Sequence, residues 1–236
     1  MKAALLFGPE DARVLEVADP VPGPGEVLVR VAAATTCERD LHLWRRPESA
    51  PAPFGLEAAG LRADTGERVR ADVPGAFSEL VAVAEATLHA VPEGLDPAAA
   101  AMAGELAAAL HAIGRAPAKA IAPDVGVLGR GSLARMLATL LEAEGRTVAY
   151  RQRLADHDVV FATERRGDAE RAVAPGGVVI EARSPAPDEV GLALSLLADG
   201  AFDWRALAAG PIKLDDLQAT FATAADGPPR KWIVTP

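Results

Sequence analysis

Val125-Gly126-Val127-Leu128-Gly129-Arg130-Gly131-Ser132-Leu133-Ala134 is the stretch whose reading decides the fold. A short apolar strand runs into a glycine turn and then into a helix from Leu133 to Gly145. The pattern is G-x-G-x-x-A. Gly129 allows the tight turn, Gly131 lets a pyrophosphate approach the backbone, and Ala134 lets helix and strand pack closely. The helix N-terminus at Ser132 and Leu133 offers N–H groups and a positive dipole end to phosphates. A second strand lies at Thr147 to Tyr150. The motif alone is weak, and its strand-turn-helix-strand setting is what points to a nucleotide cofactor.

Beyond this stretch the pattern stays strand, helix, strand, helix, the sign of a parallel α/β sheet. The expected strands are Asp158 to Thr163 and Val178 to Ala182. A helix near Asp168 to Ala174 and a turn at Pro175-Gly176-Gly177 lie between them. Helices are expected at Pro187 to Ala198 and Lys213 to Ala225, with a last strand at Lys231 to Val234. Toward the N-terminus the chain is strand-like. Val27, Val29 and Val31 alternate within Glu26 to Ala32, after a turn-rich entry from Pro20 to Gly25. Arg68 to Asp72 and Ala76 to Ala84 are further strands. Asp96 caps a helix with Pro97 at its first position, running to about Ile113.

Composition narrows the function classes. Half of the 236 residues are apolar, enough for a sizeable core. A net charge of -9 argues against a general nucleic-acid binder, which needs a basic face. The single cysteine, Cys37, rules out a disulfide framework and a Cys-rich structural zinc site. No apolar run is long enough to span a bilayer. The opening Met1-Lys2 followed by Ala3 to Phe7 reads as a first strand and not as a signal peptide. The expectation is a cytoplasmic protein acting on a small molecule, with neither nucleic acid nor membrane as partner.

The order of short motifs resembles the medium-chain dehydrogenase/reductase superfamily, the relatives of zinc alcohol dehydrogenase and quinone oxidoreductase, over nearly the whole chain. Pro22-Gly23-Pro24-Gly25-Glu26-Val27-Leu28-Val29-Arg30-Val31 is similar to that family's opening. Thr36-Cys37-Glu38-Arg39-Asp40-Leu41-His42 resembles its C-G-S-D-L-H segment. Gly55-Leu56-Glu57 resembles G-H-E, Gly66-Glu67-Arg68-Val69 resembles G-D-R-V, and Gly75 to Val81 resembles G-x-F-A-E-Y-V. Ala107 to Ala112 resembles the helix entering the cofactor domain. The resemblance implies an α/β fold. Residues 1–114 and 210–236 would form a β-rich, GroES-like catalytic domain. Residues 115–209 would form a shortened Rossmann-type, doubly wound parallel-sheet domain.

The departures from the family pattern are informative. Cys37 keeps the first zinc-ligand position, but Leu56 stands where the histidine would be. Ala108 stands where the second cysteine is expected, and Gly104 where some relatives use glutamate. A catalytic zinc wants three protein ligands and an open position, so no zinc is expected. Arg39 replaces the hydroxyl that relays protons in many relatives, and the structural-zinc lobe is absent between Asp72 and Gly75. In the cofactor domain, Tyr150-Arg151-Gln152-Arg153 stands where NAD enzymes place an acidic residue. Arg151 and Arg153 suit the 2′-phosphate of NADP; a solvated basic turn is the other reading, and NAD the other cofactor. Residues 152–157 are too few for a helical crossover, and six extended residues reach only ~20 Å. The link must therefore be bare or the next strand must change place. The subunit-pairing strand expected after Ala182 is also missing, which puts the family's usual homodimer edge in doubt.

The candidate proton-transfer residues are Cys37, Asp40 and His42, with Glu57 beside them. Cys37 is a ligand or nucleophile, or, as favoured, an inert small hydrophobe. His42 is a cleft acid or base, or a surface residue near a helix start. Glu57 is expected to be buried beside Arg39 as a structural ion pair, because a buried carboxylate needs a partner. Gly129, Gly131, Ser132, Leu133 and Ala134, with Arg151 and Arg153, form the expected cofactor site. Two functions stay open: a zinc-independent oxidoreductase using NADPH, and a degenerate family member that binds a nucleotide or ligand without turnover.

Overall fold

The last strand, Lys231–Thr235, does not stay at the edge of the largest sheet; it enters it beside the strand that begins at Glu26. This is a computed structural model describing residues 1–116, 124–129, 131–150, 157–163, 166–182, 187–224 and 231–236. The chain divides into two units, Met1–Ala103 with Leu194–Pro236, and Gly104–Ala193.

In chain order the first unit holds β1 (Lys2–Gly8), β2 (Asp11–Glu16), β3 (Glu26–Thr35), α1 (Glu38–Arg45), β4 (Ala52–Pro53), β5 (Glu57–Arg62), β6 (Arg68–Asp72), β7 (Leu80–Ala84), β8 (His89–Ala90) and α2 (Pro97–Ala101). The second holds nearly all of α3 (Ala103–Gly114), then β9 (Asp124–Leu128), α4 (Ser132–Ala143), β10 (Thr147–Tyr150), β11 (His157–Ala162), α5 (Arg166–Ala172) and β12 (Val173–Glu181). Helix α6 (Pro187–Ala198) leads back to β13 (Ala208–Lys213), α7 (Leu217–Ala224) and β14 (Lys231–Thr235).

The first unit is built on a seven-stranded sheet in the order β13-β14-β3-β5-β6-β8, with β7 also pairing β3. Strands β2-β1-β4 form a smaller antiparallel sheet. Period-two alternation explains the core: Val29, Val31, Ala58, Val69, Ala71, Val81, Val83 and Val234 turn to one side. There they meet Phe54, Phe77, Trp44 and Phe221, with Phe54 and Phe77 edge to face at 5.0 Å. Gln218 of α7 fastens this cluster by accepting from Trp44 Nε1 at 3.2 Å and from the Ala12 N–H at 2.8 Å.

The second unit is a four-stranded parallel sheet in the order β10-β9-β11-β12. Strand β11 pairs β9 and not β10, so of the two arrangements open after Tyr150 the strand has changed place. Among the described residues β10 is an edge. Helix α4 buries Ala134, Met136, Leu137, Ala138 and Leu141, the helical stripe that a strand-facing helix needs.

The expected α/β class with a β-rich portion and a parallel sheet is what the chain forms. Several boundaries differ. The helix expected from Pro97 to Ile113 breaks at Met102 into α2 and α3; Asp96 does cap it, accepting from the Ala98 N–H at 2.9 Å. The strand expected from Ala76 starts only at Leu80, because Ser78 Oγ bonds the Gly75 and Leu80 carbonyls and folds that segment into a turn. The helix expected from Lys213 opens as a 3-10 turn, Leu214–Asp216. Strand β12 begins at Val173 and takes in the Pro175-Gly176-Gly177 turn as a bulge. Its partners step from Val173 to Val178 while β11 steps from His157 to Val159. No helix among the described residues is long and apolar enough to cross a membrane.

Candidate functional site

Thr35 closes β3, and a buried polar node gathers around it. Cys37 precedes α1, and its N–H donates to the Asp40 Oδ2 at 2.7 Å. Asp40 is fully buried. A carboxylate accepting from the residue before a helix satisfies one of the N–H groups that helix geometry leaves over, and its charge suits the positive end of α1. Cys37 is half-buried and is in no disulfide. His42, one turn further along α1, is exposed.

Glu57 begins β5 and is buried. Its Oε2 accepts from Thr35 Oγ1 at 2.9 Å and from Lys231 Nζ. Lys231 is itself wholly inaccessible. The expected buried ion pair therefore exists, with a different cation: Lys231 holds Glu57, while Arg39 is exposed on α1. Register supplies the reason. Ile233 lies opposite Thr35, so Lys231, two residues before it, shares the face on which Thr35 and Glu57 sit. The Thr36 N–H and Oγ1 bond the carbonyl and N–H of Trp232 and lock that register.

The same face continues as a band of charge. Glu57 lies opposite Asp72, and Arg70 lies between Ala59 and His89. Arg70, with 1% of its surface exposed, grips Asp72 through both terminal nitrogens, Nη1 to Oδ2 at 2.9 Å. Each carboxylate of the Glu57–Asp72 pair thus has its own buried cation. Burial, and then the Arg70 guanidinium, push the His89 imidazole below its usual range, against an opposing pull from Asp72. The folded chain therefore takes up a proton at His89 only at lower pH than the unfolded one. Stability is expected to fall as pH drops below about 6.5, the unfolded value. Thermal melts between neutral and mildly acidic pH check this: His89→Gln should flatten the slope, and an unchanged slope excludes His89 as its source.

In the second unit the predicted glycine turn is in place. Strand β9 ends at Leu128, and α4 starts at Ser132 with Gly131 as its extended N-cap. Gly129 has a φ of 148°, and a Cβ there would lie 2.0 Å from Thr163 Oγ1 and 3.1 Å from the Ala134 Cβ. Only glycine fits such a corner. The first intrahelical bond runs from the Arg135 N–H to the Gly131 carbonyl, so the N–H groups of Ser132, Leu133 and Ala134 come before the helical ladder and face the turn. Gly129, Gly131, Ser132, Leu133 and Ala134 are thus brought together. Arg151 and Arg153 lie outside the described residues.

Sequence reasoning missed Lys231 and Thr163. Lys231 opens an apolar strand and reads as an edge charge until the strand's place between β13 and β3 is known. Thr163 carries no motif; it matters because β11 lies beside β9.

Residues 23–93 match the alcohol dehydrogenase GroES-like domain family. The chain is 27% identical over 199 residues to (R,R)-butanediol dehydrogenase of Neisseria gonorrhoeae, covering 61% of this chain and 56% of that protein. A Sinorhizobium meliloti protein described as a zinc-binding dehydrogenase and bound to NADP matches the fold with a TM-score of 0.81, at 20% identity over 100% of this chain and 99% of that one. The chain as a whole has the fold of these dehydrogenases, and residues 23–93 match the GroES-like domain. Acetophenone reductase of Geotrichum candidum, solved with NAD, matches the fold at a TM-score of 0.83 and 16% identity, over 100% of this chain and 97% of that chain. The chain spans about half the length of the curated relatives it matches.

Three of the residues that the resemblance sets at metal positions carry no side-chain ligand atom. Leu56 precedes β5 and offers no ligand atom, and Gly104 and Ala108 of α3 offer none either. Glu57 is engaged by Lys231. Among the described residues no three His, Cys, Asp or Glu side chains converge on a point that could hold a metal.

Proposed function

We propose that this protein is a zinc-independent oxidoreductase that uses a nicotinamide dinucleotide, NADP in preference to NAD. The observation that carries the reading is the corner at Gly129, where any side chain would collide with Thr163 and where the first turn of α4 directs its N–H groups. That corner suits a pyrophosphate, held by the N–H groups of Ser132 and Leu133 over Gly131. Arg151 and Arg153 are assigned to the 2′-phosphate. Bound there, the nicotinamide would supply a hydride to a small carbonyl, quinone or activated alkene.

The chain's own residues divide into two groups. Asp40 and Glu57 are buried and committed to Cys37 and Lys231, so they act by positioning α1 and β5. Cys37 and His42, the two that reach the surface, are the candidates for delivering a proton. The partner is a small-molecule substrate in the cytoplasm; nucleic acid and membrane are not partners. The family's homodimer is not assigned, because α6 begins at Pro187, close behind Ala182. A shortened cofactor domain fits the short link between β10 and β11.

A second reading, a binding protein without turnover, is supported by the ion pair that engages Glu57 next to Leu56, where the superfamily places a metal ligand. Calorimetric titration with NADPH and NADH, elemental analysis for zinc, and turnover with quinones and aldehydes test the first reading. Submillimolar NADPH binding, no zinc and measurable reduction are expected. Binding without reduction of any acceptor favours the second reading. Failure of both nucleotides to bind at millimolar concentration overturns the dinucleotide site, and stoichiometric zinc overturns the metal-free chemistry.

A further inference from the structure

Glu105 sits against the phosphate end of α4. It is the third residue of α3, partly buried, and its Oε1 accepts the Ser132 hydroxyl proton at 2.7 Å. Ser132, only 7% exposed, is the first residue of α4. Its own N–H is among the donors assigned above to a pyrophosphate. One hydrogen bond therefore tethers a carboxylate to the residue that would bind the cofactor's pyrophosphate.

This placement has two physical effects. A helix N-terminus attracts any anion, and a side-chain carboxylate held nearby already satisfies part of that field. A pyrophosphate bound at the Ser132 N–H would also meet a like charge on Glu105, at a partly buried position where screening by water is incomplete. An acidic residue in the first turn would favour α3 whichever way it pointed. At position 105 it points at α4.

We propose that Glu105 sets the affinity and exchange rate of the dinucleotide: it weakens pyrophosphate binding by holding a negative charge beside the first residue of α4, so that the cofactor is held loosely and leaves quickly. This rests on the dinucleotide site proposed above. It makes Glu105 a determinant of cofactor affinity whose side chain lies outside the hydride-transfer chemistry.

The test is calorimetric, with the full chain and two probes, NADPH and adenosine. Glu105→Gln removes the charge, while its amide carbonyl can still accept from Ser132, so α3 and α4 stay joined. The NADPH dissociation constant is expected to fall by about tenfold in this variant, as loss of a close like charge should produce. Adenosine carries no phosphate, and its dissociation constant should not move. Glu105→Ala serves as a second uncharged variant should Glu105→Gln melt early, and it should shift NADPH in the same direction. Unchanged or weaker NADPH binding in both variants overturns the proposal and leaves the dinucleotide site standing. An equal gain for adenosine overturns it too, because the effect would not act on phosphate. No NADPH binding by wild type or either variant overturns both the proposal and the site.

Discussion

Replacing Lys231 by methionine lowers the thermal midpoint on the order of 10 °C, the shift expected when one partner of a buried ion pair is removed at a cost of about 3–5 kcal/mol. The reason is Glu57. With Lys231 gone, its carboxylate stays buried with the Thr35 hydroxyl still donating to it, and the neighbouring Asp72 adds a like charge. Glu57→Leu removes the opposite partner and should cost a similar amount, because it leaves a buried ammonium. The double variant Glu57→Leu with Lys231→Met removes both charges and should recover most of the loss, since apolar replacements of buried pairs are often neutral or better. Circular-dichroism melts of wild type, the single variants and the double variant measure this coupling. If the single variants melt within a degree or two of wild type, the pair is not structural. A fully additive double variant would show that the two charges do not depend on each other.

Gly129→Ala distorts the turn proposed to hold the pyrophosphate. The new Cβ meets Thr163 Oγ1 at 2.0 Å, and the φ of 148° is closed to L side chains. Threonine can rotate its hydroxyl away, which relieves the contact but not the backbone. The strain left is on the order of 1–3 kcal/mol, enough to move the turn. Binding of NADPH should weaken by at least about tenfold, which requires only ~1.4 kcal/mol. Adding Thr163→Ala to Gly129→Ala should restore part of the stability and little of the binding. Wild-type NADPH affinity in Gly129→Ala would show that the cofactor does not use this turn.

Much of the fold was legible because it depends on local rules. The alternation in Glu26 to Ala32, the Asp96-Pro97 helix start and the G-x-G-x-x-A turn each come from a few neighbouring residues, and each appears where expected. What was not legible depends on which strands become neighbours. Glu57 was correctly expected to be buried and paired. Its partner lies 174 residues away, and β14 brings it there. Arg39, the nearer choice in sequence, faces outward because helix period and not distance along the chain decides the direction of its side chain. Ser78 escaped for a related reason: a serine that bonds two carbonyls at once interrupts an otherwise good strand pattern.

The position of β14 also bears on how the chain matures. A strand drawn from near residue 231 sits inside the large sheet, between β13 and β3, and supplies the cation that pairs with Glu57. Residues 104–193 are contiguous and leave the ribosome with their whole sheet available. The first unit has no such independence: until Lys231 emerges, the Ala34–Thr35 end of β3 lacks its β14 partner and a carboxylate waits to be neutralised. Folding during synthesis is therefore expected to proceed out of register with the order of translation. The half that is made first is the half that is finished last.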